Sequence, residues 1–395
     1  MTRPAHPFRP MVLALALMGC GGDDGDAREN GGIAPVPVPT PSATATGTPP
    51  PAPVTTTAVT QTPVATFQNP WAMTFLPDGR LLVTEKPGRL RLVTTAGQIS
   101  TVAGVPAVVD AGQGGLLDVA LDPGFASNRR VYLSYAEAGT GGSGLAVARG
   151  TLAADGSALG EVRVIWRQDP KVTGDGHFGG RMAFAPDGRL LVTAGERQKG
   201  TPAQDLAQTL GKVIRIEADG SIPADNPFAG QAGAKAEIWS YGHRNPYGLV
   251  FAGNGQLFES EMGPEGGDEF NLIERGRNYG WPAVSEGNNY GGGPIPRHAT
   301  DSRYTAPLVS WTPVISPGGM IQYRGSRFVN WEGDFLLAGL TGQGLIRVRV
   351  SGTTASEAAR IPLGTRIREV EQGPDGAIWV LGDGATGRLI RLDPA

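Results

Sequence analysis

From about Val64 onward the chain is a succession of short apolar runs, each preceded by a break centred on Gly, Asp or Asn. Pro77-Asp78-Gly79-Arg80 precedes Leu81-Leu82-Val83-Thr84-Glu85, and Pro186-Asp187-Gly188-Arg189 precedes Leu190-Leu191-Val192-Thr193. The same unit recurs four more times. Asp122-Pro123-Gly124 leads into residues 131–135, Gly253-Asn254-Gly255 into 256–259, Trp331-Glu332-Gly333 into 334–337, and Pro374-Asp375-Gly376 into 377–380. Asp-Gly and Asn-Gly between apolar runs signal tight turns between strands. A second run often follows, at residues 88–92, 211–215, 344–348 and 387–391. No segment has the sustained period of an amphipathic helix; residues 202–210 offer a turn or two. Six units over roughly 330 residues allow about 55 residues each, more than a minimal four-stranded blade uses. The pattern predicts an all-β fold, a six-bladed β-propeller, with a β-sandwich or two β-domains as the alternative. A propeller binds its ligands at one mouth of the central channel, on loops held by a rigid scaffold.

The N-terminal part reads differently. Arg3 and Arg9 flank the start of a short apolar run at residues 11–18, too short to span a bilayer. It ends in Leu17-Met18-Gly19-Cys20, which resembles a bacterial lipoprotein signal in which the cysteine is lipidated; an ordinary cleaved signal is the alternative. Residues 21–62 contain no aromatic side chain, and eight prolines fall between Pro35 and Pro53. Such a composition buries too little apolar surface to offset its ordering entropy. The expected organisation is a signal over 1–20, a disordered tether over 21–62 and a propeller over 63–395. The protein is then exported to the periplasmic side and anchored to a membrane by lipid at Cys20. Gly21 after that cysteine lacks the aspartate that retains lipoproteins at the inner membrane, which favours the outer one.

Composition narrows the function. The 395 residues include 60 Gly and 33 Pro, as a turn-rich all-β chain requires. Net charge is −3, and removing residues 1–20 takes away two arginines and no acids, leaving −5. General nucleic-acid binding has no electrostatic support. Cys20 is the single cysteine, which excludes an intramolecular disulfide and a cysteine metal cluster.

Five stretches carry candidate chemistry. Gly174-Asp175-Gly176-His177-Phe178-Gly179-Gly180-Arg181 sets a histidine in a glycine-rich loop before a strand expected from Met182. Histidine titrates near neutrality and suits proton acceptance. In Ala111-Gly112-Gln113-Gly114-Gly115, Gln113 can hydrogen-bond a planar ligand that approaches the backbone closely. Tyr241-Gly242-His243-Arg244-Asn245-Pro246 places a guanidinium beside an amide. Glu261-Met262-Gly263-Pro264-Glu265-Gly266-Gly267-Asp268-Glu269, followed by Asn278-Tyr279-Gly280-Trp281, supplies the oxygens a hard cation requires. In the extended segment Thr365-Arg366-Ile367-Arg368, two arginines share a face and invite a polyanion. Each stretch alone is also compatible with an ordinary loop or surface ion pair.

Taken together and in this order, the five stretches resemble the soluble quinoprotein aldose sugar dehydrogenases of the glucose/sorbosone dehydrogenase family, from about Phe67 to Arg391. The resemblance implies a six-bladed propeller that binds pyrroloquinoline quinone (PQQ) and calcium at its mouth and oxidises an aldose at C1 to the lactone. His177 then matches the general base that takes the C1 hydroxyl proton while hydride passes to the quinone. Gln113 matches a cofactor-side glutamine, and Arg244 with Asn245 matches the pair beside the quinone oxygens. Arg366 and Arg368 match the holders of the PQQ carboxylates. The carbonyls of Gly263 and Pro264 match the ligands of the calcium at the quinone. Glu269 with the Tyr279 carbonyl resembles a separate structural calcium site. The implied partners are a sugar and an electron acceptor.

The chain departs from the family pattern twice. Gly176 stands where glucose-specific members place an aspartate before the histidine, with Asp175 one residue further back. A cofactor lysine of the family has no counterpart in Gly339-Leu340-Thr341-Gly342-Gln343-Gly344, which leaves that contact missing or assigned to Thr341 or Gln343. Two further readings compete with the dehydrogenase: a calcium-dependent lactonase and a non-catalytic sugar- or protein-binding propeller. A lactonase calls for acids around a central calcium, whereas the arginines here favour an anionic cofactor.

Overall fold

Four of the six expected turns are one and the same turn, and a fifth, closed by Gly333, is a longer form of it spanning residues 323–334. Gly79, Gly188, Gly255, Gly333 and Gly376 lie at φ between 80° and 85°, a conformation in which only glycine is unstrained. In the sixth, Asp122-Pro123-Gly124 opens a one-turn helix, Phe125–Asn128, which ends at Arg129 in the left-handed region. Each of these connections joins an innermost strand to its neighbour. In this computed structural model, which describes residues 55–395, the strands form six sheets, each with four antiparallel strands.

The innermost strands are Pro70–Phe75, Leu116–Leu121, Gly179–Phe184, Pro246–Phe251, Pro317–Gln322 and Ile367–Gln372. Each packs against the next, and the last packs against the first, so the six blades close a ring. The sixth blade takes its outermost strand, Val59–Phe67, from the start of the described chain, paired antiparallel along Gly387–Pro394. Joining the two ends in one sheet locks the ring. The expected boundary at residue 63 is therefore corrected: Val59–Phe67 is a strand, and Thr55–Thr56 pairs with the edge of the fifth blade. The strand expected from Met182 begins at Gly179. The signal over 1–20 and the tether up to residue 54 lie outside the described residues. The segment 202–210 holds only the 3-10 turn Thr201–Gln204.

Apolar side chains fill the spaces between blades. Phe258 of the fourth blade meets Phe335 of the fifth at 4.6 Å between ring centroids, and Phe75 of the first meets Trp379 of the sixth at 5.6 Å. Hydroxyls on the second strands stitch neighbouring blades together near the channel. Thr84 Oγ1 donates to the Leu117 carbonyl (2.6 Å), Ser134 Oγ to Gly180 (2.6 Å) and Thr193 Oγ1 to Pro246 (3.1 Å).

One guanidinium occupies the channel. Arg181, on the third blade, donates through Nη1 to Asp118 of the second (3.1 Å) and to Glu369 of the sixth. Its Nε donates to the Tyr247 carbonyl of the fourth blade (2.7 Å), and it lies over the Trp71 ring of the first (4.3 Å to the centroid). The fifth blade makes room with Gly319, where an added Cβ would come within 1.7 Å of Glu369 Oε1 and 2.9 Å of Arg181 Nη2. Burial pushes the Glu369 carboxyl up to about 7, against the pull of Arg181. Replacing Arg181 by Met would leave Asp118 and Glu369 buried without their counter-charge, a loss of about 3–5 kcal/mol. Arg181→Met is expected to lower Tm by roughly 5 °C. A thermal melt within about 2 °C of wild type would show that the channel cation is dispensable.

Candidate functional site

The repeat decides which mouth holds the site. Pro70 pairs with Glu85, Pro246 with Glu261, Pro317 with Gly339 and Ile367 with Gly382. The residues that follow, Lys86, Met262, Leu340 and Asp383, therefore stand at equivalent rim positions. Three of them line a cavity of about 260 Å³ whose wall also includes Gln113, Tyr247, Arg366 and Arg368. The structure thus gathers Gln113 and both arginines of the 365–368 segment around one hollow.

Its cationic side is built on Asp383. Arg366 Nε donates to Oδ2 (2.9 Å), while Arg368 donates through Nε (2.9 Å) and Nη2 (2.8 Å) to Oδ1. Burial works to raise the Asp383 carboxyl, but the two arginines hold it below the usual carboxylate range. Lys86 supplies the third cation, its Nζ donating to the Gly112 carbonyl at 2.5 Å. Burial lowers its pKa, with Arg368 adding to that. Neither Thr341 nor Gln343, of the segment 339–344 that lacks a lysine, lines the cavity. Thr341 Oγ1 is turned to the Val314 carbonyl and Ser316 Oγ, and only Leu340 of that segment lines the cavity. Lys86 went unnoticed in the sequence, although its place immediately after a second strand marks it as a rim residue.

His177 joins this wall through Gln113, whose Oε1 accepts from the His177 main-chain N–H (2.7 Å) and from the Tyr247 hydroxyl (3.2 Å). His177 has φ 49°, a left-handed conformation that turns the chain sharply before the inner strand at Gly179. Its Nδ1 faces Glu196 Oε1 at 2.5 Å, and the other Glu196 oxygen accepts from the Gly200 N–H. Burial lowers the imidazole pKa, and the Glu196 hydrogen bond pulls it partly back. Burial tends to raise the Glu196 carboxyl, but the bonds from His177 and Gly200 bring it below its ordinary value. Nε2 has no hydrogen-bond partner among the described residues and is not among the sealed atoms. Glu196 is the residue sequence reasoning missed here; it follows the second strand, Leu190–Ala194, at the same rim. The space a side chain at Gly176 would need is taken by the Gln198 amide, whose Cδ lies 2.5 Å from an added Cβ.

Arg244 and Asn245 lie behind His177. Glu196 N–H donates to the Arg244 carbonyl (2.9 Å), and Asn245 Oδ1 accepts from the Gly179 N–H (3.3 Å). Glu261 Oε2 caps the main chain of both, accepting from Arg244 N–H (2.6 Å) and Asn245 N–H (3.2 Å). Two donors, Arg244 Nε and Asn245 Nδ2, are sealed from solvent with no acceptor. Arg244 Nη2 donates to the hydroxyl of Tyr290 (3.2 Å), an exposed aromatic that sequence reasoning also passed over.

The carbonyl of Gly263 accepts from Arg244 Nη1 at 2.8 Å, so this oxygen and the guanidinium face each other directly. A second hollow of about 10 Å³, room for one water-sized ion, is lined by Glu261, Gly263, Glu269 and Tyr279. Glu269 is buried there, and the Tyr279 carbonyl meets His298 Nε2 at 3.0 Å. Pro264 is buried beside Gly263 and lines neither hollow. Carboxylate and carbonyl oxygens around so small a space suit a hard cation.

The cavity suits a planar polyanion. Lys86, Arg366 and Arg368 provide three positive groups for its carboxylates.

Known proteins resemble this chain over nearly the whole propeller. Residues 67–391 match the family model described as glucose/sorbosone dehydrogenase. An aldose sugar dehydrogenase of Escherichia coli is 41% identical over 334 residues, spanning 82% of this chain and 90% of its own. The crystal structure of the soluble aldose sugar dehydrogenase from Escherichia coli in its apo form superposes with a TM-score of 0.82 at 39% identity, covering 85% of this chain and 100% of the other. The PQQ-bound aldose sugar dehydrogenase from Streptomyces coelicolor superposes with a TM-score of 0.71 at 30% identity, covering 85% and 98%. The chain belongs to the glucose/sorbosone dehydrogenase family.

Proposed function

We propose that this protein is a PQQ- and calcium-dependent aldose dehydrogenase that oxidises the sugar at C1 to the lactone, with His177 as general base. The observation that supports it best is the pairing of His177 Nδ1 with Glu196 next to a cavity walled by Lys86, Arg366 and Arg368. In this reading Arg366, Arg368 and Lys86 hold the cofactor carboxylates, and Gln113, Arg244 and Asn245 border its ring. PQQ, when bound, supplies the hydride acceptor. The carbonyls of Gly263 and Pro264 would hold a calcium that polarises it, and Glu269 with the Tyr279 carbonyl would hold a separate structural calcium. The lipoprotein-type reading of residues 1–20 places the enzyme on the periplasmic side.

The proton chemistry lies with the protein. Glu196, as a carboxylate, accepts from Nδ1–H and so leaves the lone pair on Nε2. Nε2 takes the C1 hydroxyl proton, and the carboxylate steadies the imidazolium that results. Arg244, close to both groups, disfavours protonation of His177 before substrate arrives. Asp383 pairs with both arginines and so holds them in place for a ligand carboxylate.

Four outcomes check this reading. Titration of the purified chain with PQQ and calcium should yield dye reduction with aldoses that a chelator abolishes. Arg366→Ala with Arg368→Ala should weaken PQQ binding on the order of 100-fold or more while circular dichroism stays unchanged; unaltered binding would remove the assignment of the cationic wall. His177→Ala should keep PQQ binding and lose about 10²–10⁴ in kcat. Because the base acts neutral and its pKa is lowered, kcat/KM should hold at neutral pH and fall only below about 6.5. A profile with no acid limb, or one centred above neutrality, would count against His177.

A further inference from the structure

The fourth blade contains a set of buried acids that the proposed reaction leaves unused. Glu259 and Glu261 lie two apart on the second strand, Leu257–Glu261, and so share one face of the sheet. Across the ladder they pair with Asn271 and Glu269 of the strand Asp268–Ile273. His243 closes the space from the loop between the third and fourth blades, its ring stacked on Tyr279 at 4.7 Å. One nitrogen of His243 and one oxygen each of Glu259 and Glu261 lie within 4.8 Å of one another, and all three residues are buried.

The hydrogen bonds leave a gap in this group. Glu261 commits Oε2 to the main chain of Arg244 and Asn245, while its Oε1 faces His243 Nδ1 at 3.3 Å. Glu259 commits Oε2 to the Asn271 amide (3.1 Å), but Oε1 has no partner and no solvent, although the residue is fully buried. Asn271 Oδ1 is sealed without a partner as well. Among the described residues, no lysine or arginine side chain forms an ion pair with Glu259, Glu261 or Glu269. A buried carboxylate with a vacant lone pair needs either a proton or a cation. The other imidazole nitrogen, His243 Nε2, is 2.8 Å from Ser240 Oγ, the outer hydrogen bond that orients a metal-binding histidine.

We propose that His243, Glu259 and Glu261 form a structural site for one divalent first-row transition ion of the Mn²⁺ or Zn²⁺ class. A nitrogen donor with two carboxylates fits such an ion better than calcium, which takes oxygens throughout. The site adjoins the hollow of Glu269 and Tyr279 through Glu261, which lines that hollow too, whereas His243 and Glu259 do not. Its burial means that the ion enters as the blade folds and exchanges slowly, bracing the strand that precedes Met262 and Gly263 at the mouth. The inference does not depend on the dehydrogenase reading.

The test uses the full chain, unfolded and stripped with a chelator, then refolded in saturating calcium with graded Mn²⁺ and followed by electron paramagnetic resonance. The expected result is one tightly held Mn²⁺ per chain whose spin-echo spectrum carries imidazole ¹⁴N modulation, displaced by Zn²⁺. Glu259→Gln should weaken that binding by at least about 10-fold. Mn²⁺ bound without ¹⁴N modulation would place it in an all-oxygen site and overturn the proposal. So would no binding below about 1 mM, leaving Glu259 simply protonated. If Glu259→Gln does not fold, the wild-type spectrum alone decides.

Discussion

Arg181 is the point on which the propeller closes. Its guanidinium comes from the third blade and touches the other five: Trp71, Asp118, the Tyr247 carbonyl, the space at Gly319, and Glu369. A ring of six sheets has no central hydrophobic core, because the inner strands splay around an axis too narrow for a layer of large side chains on every blade. Here small residues at Ala72, Gly248 and Gly319 admit one large cation, and two carboxylates balance it. The arrangement suits a buried charge, since each acid also accepts a main-chain N–H, Asp118 from Met182 and Glu369 from Val370.

That plug also separates the two ends of the channel. Behind it lie the repeated Gly turns. In front of it the inner strands begin and the second strands end, so their flanking residues converge on one mouth. Arg368 belongs to the inner strand of the sixth blade and Arg366 immediately precedes it, Asn245 precedes that of the fourth, and His177 that of the third. Lys86, Glu196 and Asp383 all follow second strands. A single topological rule brings the cationic wall, the imidazole–carboxylate pair and the Arg244–Asn245 pair to the same mouth.

The electrostatics of the mouth are arranged in pairs. Asp383 neutralises and aligns two arginines, Glu196 orients His177, and Glu261 caps the backbone that presents Arg244 and Asn245. In each case a carboxylate behind the site sets the geometry of the group in front. Such positioning acids make no direct claim on a ligand, which is why they leave little trace in a motif.

The sequence alone determined the local and repetitive features. Alternating apolar runs, with Asp-Gly and Asn-Gly between them, specified short strands, their order and the number of blades, because those properties depend on neighbouring residues. It also singled out His177, Gln113, Arg244 and the two arginines, since unusual residues in glycine-rich loops stand out in one dimension. Only the tertiary structure decided what lies beside them. Lys86 stands 280 residues from Arg366 in the chain yet lines the same wall, Glu196 meets His177 from another loop, and Val59–Phe67 completes a sheet at the far end of the chain. These pairings arise when the ring closes, and closure is a property of the whole chain that no local pattern encodes.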